Sequence, residues 1–393
     1  MRRTVLVLAA LAVLTAAGCD TARPPASSGS PGASGASGGT AATTGPTPSP
    51  PSCTDRTLGG LGLAGQVGQL LMIGTPATDP TSVTDTVRRY KLGGVFLAGQ
   101  STQPAATVRH GVDALQSSAT LGLLVATDQE GGLVQRLKGP DFPPIPSAVA
   151  QGQEDQATLR ARTADWAGRL RAAGITMDLA PVADTVPAGT AAANPPIGAL
   201  NRQYGSDPDA VARDVTTVVE AAQSAGILTT AKHFPGLGRV RANTDTSTAA
   251  VDSQATVDDP YLRPFTAAIK AGTAAVMVSS AAYPKIDPDA IAAFSAPVIT
   301  DLLRQRLGFT GIVISDDLGA AVAVTAVPVG ERAVRFVKAG GDIVLTVRAT
   351  DAGPMTTALL AAAQQSPAFA ARVTDAARHV VAAKVKAGLV RCP

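Results

Sequence analysis

Eight short apolar runs, each ending in polar or glycine-rich residues, recur along the chain with room for a helix between neighbours. They are VGQLLMIG (67–74), LGGVFLAG (92–99), LGLLVATDQEGG (121–132), ITMDLAPVADT (175–185), GILTTAKHFPG (226–236), AAVMVSSAAYP (274–284), TGIVISDDLGA (310–320) and GGDIVLTVRA (340–349). Between them lie stretches with apolar residues at helical spacing. The clearest are ATLRARTADWAGRLRAAG (157–174) and DAVARDVTTVVEAAQSAG (209–226), both of which stop at glycine. Strand–helix alternation repeated eight times predicts an α/β fold, a (β/α)8 TIM-like barrel rather than an open doubly wound sheet. One such domain can use the whole of residues 53–393.

The region before residue 53 has a different composition. MRRTVLVLAALAVLTAAGC begins with Arg2 and Arg3, continues through an apolar run and ends in small residues before Cys19, the pattern of a secretory signal peptide over 1–18. Its TAAGC ending resembles a lipobox, in which the cysteine is acylated after cleavage; the alternative is an ordinary signal peptide with an incidental cysteine. Residues 19–52 are then the acylated cysteine and a Ser/Gly/Ala/Thr/Pro tether with nothing to bury in a core. Together these features predict a lipid-anchored domain on the extracytoplasmic face of the cell membrane. In that compartment Cys53 and Cys392 are expected to bridge the two ends of the domain, the alternative being two free thiols. Without Arg2 and Arg3 the formal charge of +3 falls to +1, which gives no electrostatic argument for a nucleic-acid partner.

The candidate chemistry lies just past the apolar runs, where a barrel of this type builds its site. In VISDDLGA the adjacent Asp316 and Asp317 cannot both point into the barrel mouth, because side chains alternate along a strand. A carboxylate here can be a nucleophile, a metal ligand or a helix cap. In ATDQEGGLVQRL, Asp128 can accept two sugar hydroxyls and Arg136 can return to the same pocket as a donor, with Gly131 and Gly132 allowing a tight turn. Asp128 with Glu130 is a conceivable metal pair, but three histidines in the whole chain and no ligand cluster argue against one. In KHFPG, Lys232 suits a hydroxyl or carboxylate and His233 can donate or accept; a buried structural histidine is the alternative. His110 and His379 fall within helical patterns and are read as structural or exposed.

Taken in order, TDQEGGLVQRL, APVAD, IGALNRQYGSDP, AKHFPGLG, MVSSAAYP and GFTGIVISDDLGA resemble glycoside hydrolase family 3. The likeness is greatest to its single-domain bacterial β-N-acetylglucosaminidases, and the acylated start and GLGR sequence resemble an actinobacterial lipoprotein branch. It covers most of residues 60–350. The resemblance implies a retaining mechanism through a covalent glycosyl-enzyme, with Asp316 as nucleophile. It implies that Asp128, Arg136, Arg202, Lys232 and His233 hold the sugar, and that Asp184 supports the site rather than reacting.

The chain departs from the family pattern where proton transfer is expected. Relatives typically read KHFPGHG and then Asp-Ser-His, whose histidine is the general acid/base. Here Leu237 replaces the first histidine, and the later motif is Asn243-Thr244-Asp245 by strict spacing or Asp245-Thr246-Ser247 after a two-residue slip. Leu133 replaces a frequent arginine and Ser280 a frequent histidine. Strict spacing puts Asp245 in the acid/base position, where a carboxyl of raised pKa can serve; the alternative is a turn residue. Arg239 and Arg241 are expected to face water, the alternative being attraction of an acidic muropeptide.

These observations predict a monomeric, cofactor-independent and metal-independent exo-acting β-N-acetylglucosaminidase that acts on peptidoglycan fragments. A β-glucosidase of the same family and a sugar-binding lipoprotein with little or no hydrolysis are the alternatives.

Overall fold

In the computed structural model, which describes residues 51–392, each of the eight apolar runs supplies one strand of a single parallel sheet. The strands are β1 (Leu71–Pro76), β2 (Gly94–Ala98), β3 (Leu124–Thr127), β4 (Met177–Asp178), β5 (Leu228–Phe234), β6 (Ala275–Val278), β7 (Ile312–Ser315) and β8 (Val344–Thr346). Their order around the sheet is β7-β6-β5-β4-β3-β2-β1-β8. A parallel bridge between Ile314 and Ile343 joins the two ends and closes the barrel. The predicted fold class is therefore the one observed. The signal peptide 1–18, Cys19 and the tether up to residue 50 lie outside the described residues.

Because both faces of each strand are covered, the strands read as near-continuous apolar runs rather than alternating ones. Met72, Phe96, Leu124, Met177, Leu228, Met277, Ile312, Ile314 and Leu345 fill the barrel interior. Their neighbours Ile73, Val95, Val125, Val276, Val313 and Val344 point outward against the helices. The run at 67–74 is split: Val67–Gln69 end a helix, Cys53–Gln69, and the strand begins at Leu71. Asp155 caps the helix Gln156–Ala172 by accepting from Thr158 N, and Pro208 opens the helix Pro208–Ser224 behind Asp207.

The helix Pro367–Lys386 closes the floor of the barrel, with Val380, Ala383, Ala387 and Leu389 packed on the interior cluster. It also lies along the helix Cys53–Gln69. Cys53 and Cys392 are bonded, with their Cα atoms 5.3 Å apart, so the two ends of the described chain are joined covalently. With the floor sealed, the open end is the C-terminal mouth, where the polar residues of the sequence motifs gather. Among the described residues no helix is long and apolar enough to cross a membrane.

Candidate active site

Asp128 leaves β3 and enters a short antiparallel hairpin, Gln129–Gly131 with Val134–Gln135. Gly131 and Gly132 make its turn with φ of 101° and 56°, a region that disfavours other residues. The hairpin returns Arg136 to Asp128: Arg136 N donates to Asp128 O at 3.2 Å, and Arg136 Nη2 lies 3.3 Å from Asp128 Oδ2. From β5, Lys232 Nζ reaches Asp128 Oδ1 at 2.7 Å and Glu130 Oε1 at 2.5 Å. Arg202, from the long segment after β4, holds Glu130 in a bidentate pair at 2.8 and 2.7 Å and donates to Pro196 O. Burial opposes the charge on Glu130, but Arg202 and Lys232 outweigh it and hold the carboxyl well below its usual range. Burial likewise opposes the charge on Lys232, and Asp128 and Glu130 reverse the effect, so its pKa is raised.

His233 is oriented from behind. Its Nδ1 lies 2.7 Å from Asp184 Oδ2, and its backbone N–H also donates to that fully buried carboxylate. With Nδ1–H committed to Asp184, the other ring nitrogen faces Arg202 Nη2 at 3.5 Å. Asp184 also accepts from Leu237 N at 2.6 Å, so it organises two residues of the loop and does not line the cavity. The Lys232–His233 and Phe234–Pro235 peptide bonds are cis, and the pairing of β5 with β6 shifts register between Lys232 and Phe234.

At the end of β7 the two adjacent aspartates divide their work. Asp317 accepts from Gly319 N, Ala320 N and Val347 N at 2.8, 2.9 and 3.0 Å, which makes it a brace for the loop. Asp316 accepts from Asp317 N at 2.8 Å, and both aspartates line the cavity. Asp245 also lines the cavity, together with Asn243 and Thr244. Asp245 is exposed at the rim. Partial desolvation, followed by the negative charge of Asp316, pushes its pKa up, and His233 opposes the shift. The cavity holds about 390 Å³ and gathers Asp128, Arg136, Arg202, Lys232, His233, Asp245 and Asp316 in one place.

Two features were not legible in the sequence motifs. The sequence offers Glu130 only as a conceivable metal partner of Asp128, whereas it is the shared acceptor of Lys232 and Arg202. The DQE spacing was its one available signal. Asp178, the last residue of β4, accepts from Gln129 N at 3.0 Å; burial pushes its carboxyl up to about 7, with the bond to Gln129 opposing. Arg239 also corrects an expectation. Instead of facing water it pairs with Asp252 and Asp259 and is largely covered, because the following segment brings both carboxylates to it; Arg241 is exposed.

Residues 63–383 match the Glycosyl hydrolase family 3 N terminal domain. The chain belongs to glycosyl hydrolase family 3. It is a glycoside hydrolase, and this family 3 enzyme is similar to a beta-hexosaminidase of Stenotrophomonas maltophilia (strain K279a), 36% identical over 287 residues that span 70% of this chain and 82% of that protein. Among solved structures it is similar to a beta-N-acetylhexosaminidase from Beutenbergia cavernae DSM 12333. The identity is 46% and the TM-score 0.81, over 83% of this chain and 99% of that one. It is also similar to a family 3 beta-N-acetylglucosaminidase from Paenibacillus sp. str. FPU-7, with 30% identity and a TM-score of 0.75 over 84% of this chain and 63% of that one.

Proposed function

We propose that this family 3 enzyme is a retaining, exo-acting β-N-acetylglucosaminidase that removes terminal non-reducing N-acetylglucosamine from peptidoglycan fragments. The observation that carries the reading is Asp316: a carboxylate bonded only to Asp317 N among the hydrogen bonds of the described residues, in the cavity that Asp128, Lys232, Arg202 and His233 also line, while its neighbour Asp317 braces the loop. The similar beta-N-acetylhexosaminidases support the sugar class. The cavity volume of about 390 Å³ sits near the low end of the ~300–1,000 Å³ usual for small-molecule sites, which favours one sugar ring at a time.

In this reading Asp128 accepts hydroxyl protons while Arg136 and Lys232 donate to hydroxyl oxygens, with Glu130 and Arg202 holding Lys232 in place. Asp316 attacks the anomeric carbon as Asp245, protonated, gives its proton to the departing oxygen. Water then attacks the same carbon, passes a proton to Asp245 and frees Asp316. The charge on Asp316 is one cause of the raised Asp245 pKa. Esterification removes that charge, so Asp245 becomes more acidic when it must act as base.

The signal-like start and Cys19 support placement on the outer face of the membrane as a lipid-anchored monomer, within reach of cell-wall fragments. The test is trapping with a slow fluorinated N-acetylglucosaminide and mapping of the labelled peptide. A label on Asp316 and loss of turnover in Asp316→Ala are expected; a label elsewhere, or a kinetically silent Asp316→Ala, overturns the assignment.

A further inference from the structure

The loop that carries Asp245 is fastened at several separate points. At its start, Tyr283 OH donates to Gly236 O at 2.9 Å and Asp184 accepts from Leu237 N. The buried side chain of Asn194 donates to Leu237 O at 2.8 Å and to Val240 O at 2.6 Å, and accepts from Gly198 N at 2.7 Å. Gly238 is pressed so closely on Thr185 O that a Cβ there would fall 1.8 Å from it, so only glycine fits. Leu237 and Val240 are buried. At the far end, Val322 N and Ala323 N donate to Asp245 O and Thr244 O at 3.2 and 3.1 Å, tying this loop to the one that follows Asp316.

Arg239 is the central fastening. Its Nε lies 2.9 Å from Asp252 Oδ2 and its Nη2 2.5 Å from Asp259 Oδ2, while its guanidinium carbon stacks 4.3 Å from the centre of the Tyr261 ring. Both carboxylates are themselves held, Asp252 by Gln254 N and Ala255 N, and Asp259 by Tyr261 N. Two carboxylates and an aromatic face fix one planar cation, a geometry lysine cannot reproduce.

We propose that Arg239 is a positioning residue for proton transfer: by clamping residues 237–252 onto the following segment it holds Asp245 at the cleft. The proposal rests on the reading of Asp245 as acid/base and goes beyond it by naming what places that carboxyl. A positioning error of about 1 Å, even from a distant change, can cost on the order of 10²-fold in rate. The loss should fall on the proton-dependent step and spare sugar binding.

The test is Arg239→Met in the full chain, assayed beside Asp245→Asn and the double variant on N-acetylglucosaminides with alkyl and dinitrophenyl leaving groups. For Arg239→Met we expect kcat on the alkyl glycoside to fall on the order of 10²-fold. The kcat/KM of the dinitrophenyl glycoside, which reports the first step and needs little help from an acid, should stay near wild type, Arg239→Lys should recover only part, and the double variant should be no slower than Asp245→Asn. Equal losses of kcat/KM on both leaving groups would show a merely structural role and overturn the proposal, as would wild-type rates in Arg239→Met beside a slow Asp245→Asn. A silent Asp245→Asn would instead remove the acid/base reading underneath. If Arg239→Met does not fold, Asp259→Asn, which leaves the Asp252 pair in place, carries the same comparison.

Discussion

Lys232 Nζ sits 2.5 Å from Glu130 Oε1, with the two side chains only 2% and 3% exposed, and Arg202 covers the other side of the same carboxylate. Glu130 is thus shared by two cations, one from β5 and one from the loop after β4, and Asp128 is the second partner of Lys232.

Glu130→Ala should therefore destabilise the fold by about 3–5 kcal/mol, because it leaves Arg202 without its bidentate partner and the buried Lys232 with Asp128 alone. Urea unfolding at neutral pH checks this. The sign with pH follows from the depressed carboxyl pKa in the fold. The contribution of Glu130 is complete above its unfolded value and is lost as pH falls through the lower folded one, so wild type and variant should converge only in strong acid.

Asp245→Asn should lower kcat/KM for glycosides with poor leaving groups by about 10²–10⁴-fold while sparing kcat/KM for activated ones. The first step needs the protonated carboxyl, so wild-type kcat/KM should decline as pH rises through the raised pKa. The asparagine variant should lack that alkaline limb. Steady-state pH profiles on the two substrate types decide it.

At the barrel floor, Lys384 is fully buried with Gln69 Oε1 2.5 Å from its Nζ, and burial lowers its pKa from 10.5 to about 7. The fold disfavours the charged form. Stability should thus rise with pH between about 7 and 10.5, where the unfolded chain binds the proton and the folded one does not. Lys384→Met should stabilise the protein at pH 6, within the ~1–4 kcal/mol seen when buried charges give way to packed apolar groups, and the gain should shrink by pH 10. Melting curves across this range check both the sign and the trend.

The Cys53–Cys392 bond spans 339 residues and ties the first helix of the domain to its last. Cys53→Ser with Cys392→Ser should lower stability by about 2–5 kcal/mol, since the crosslink restricts the unfolded chain most when the loop is long. Denaturation with and without reductant should reproduce the same loss in wild type and none in the double variant.

Much of this site could be read before folding was considered. Asp128, Lys232, His233 and Asp316 each follow an apolar run that becomes a strand, and the barrel brings strand ends to one mouth. Glu130 escaped because its partners, Arg202 and Lys232, are 72 and 102 positions away and no local pattern pairs them. The pairing of Arg239 is illegible for the same reason: Asp252 and Asp259 lie 13 and 20 positions on and meet it only in the folded loop.

The sequence by itself determined the strands, the helices between them and the residue types at each strand exit, because those depend on hydrophobic spacing and turn chemistry within a few residues. Only the tertiary structure decided which of Asp316 and Asp317 braces the loop, that Asp245 lies at the cleft, and that Glu130 is shared by Lys232 and Arg202. Those outcomes depend on backbone donors and charges that closure of the barrel brings together from distant segments, and electrostatic pairing is set by distance in space, which the order of residues does not record.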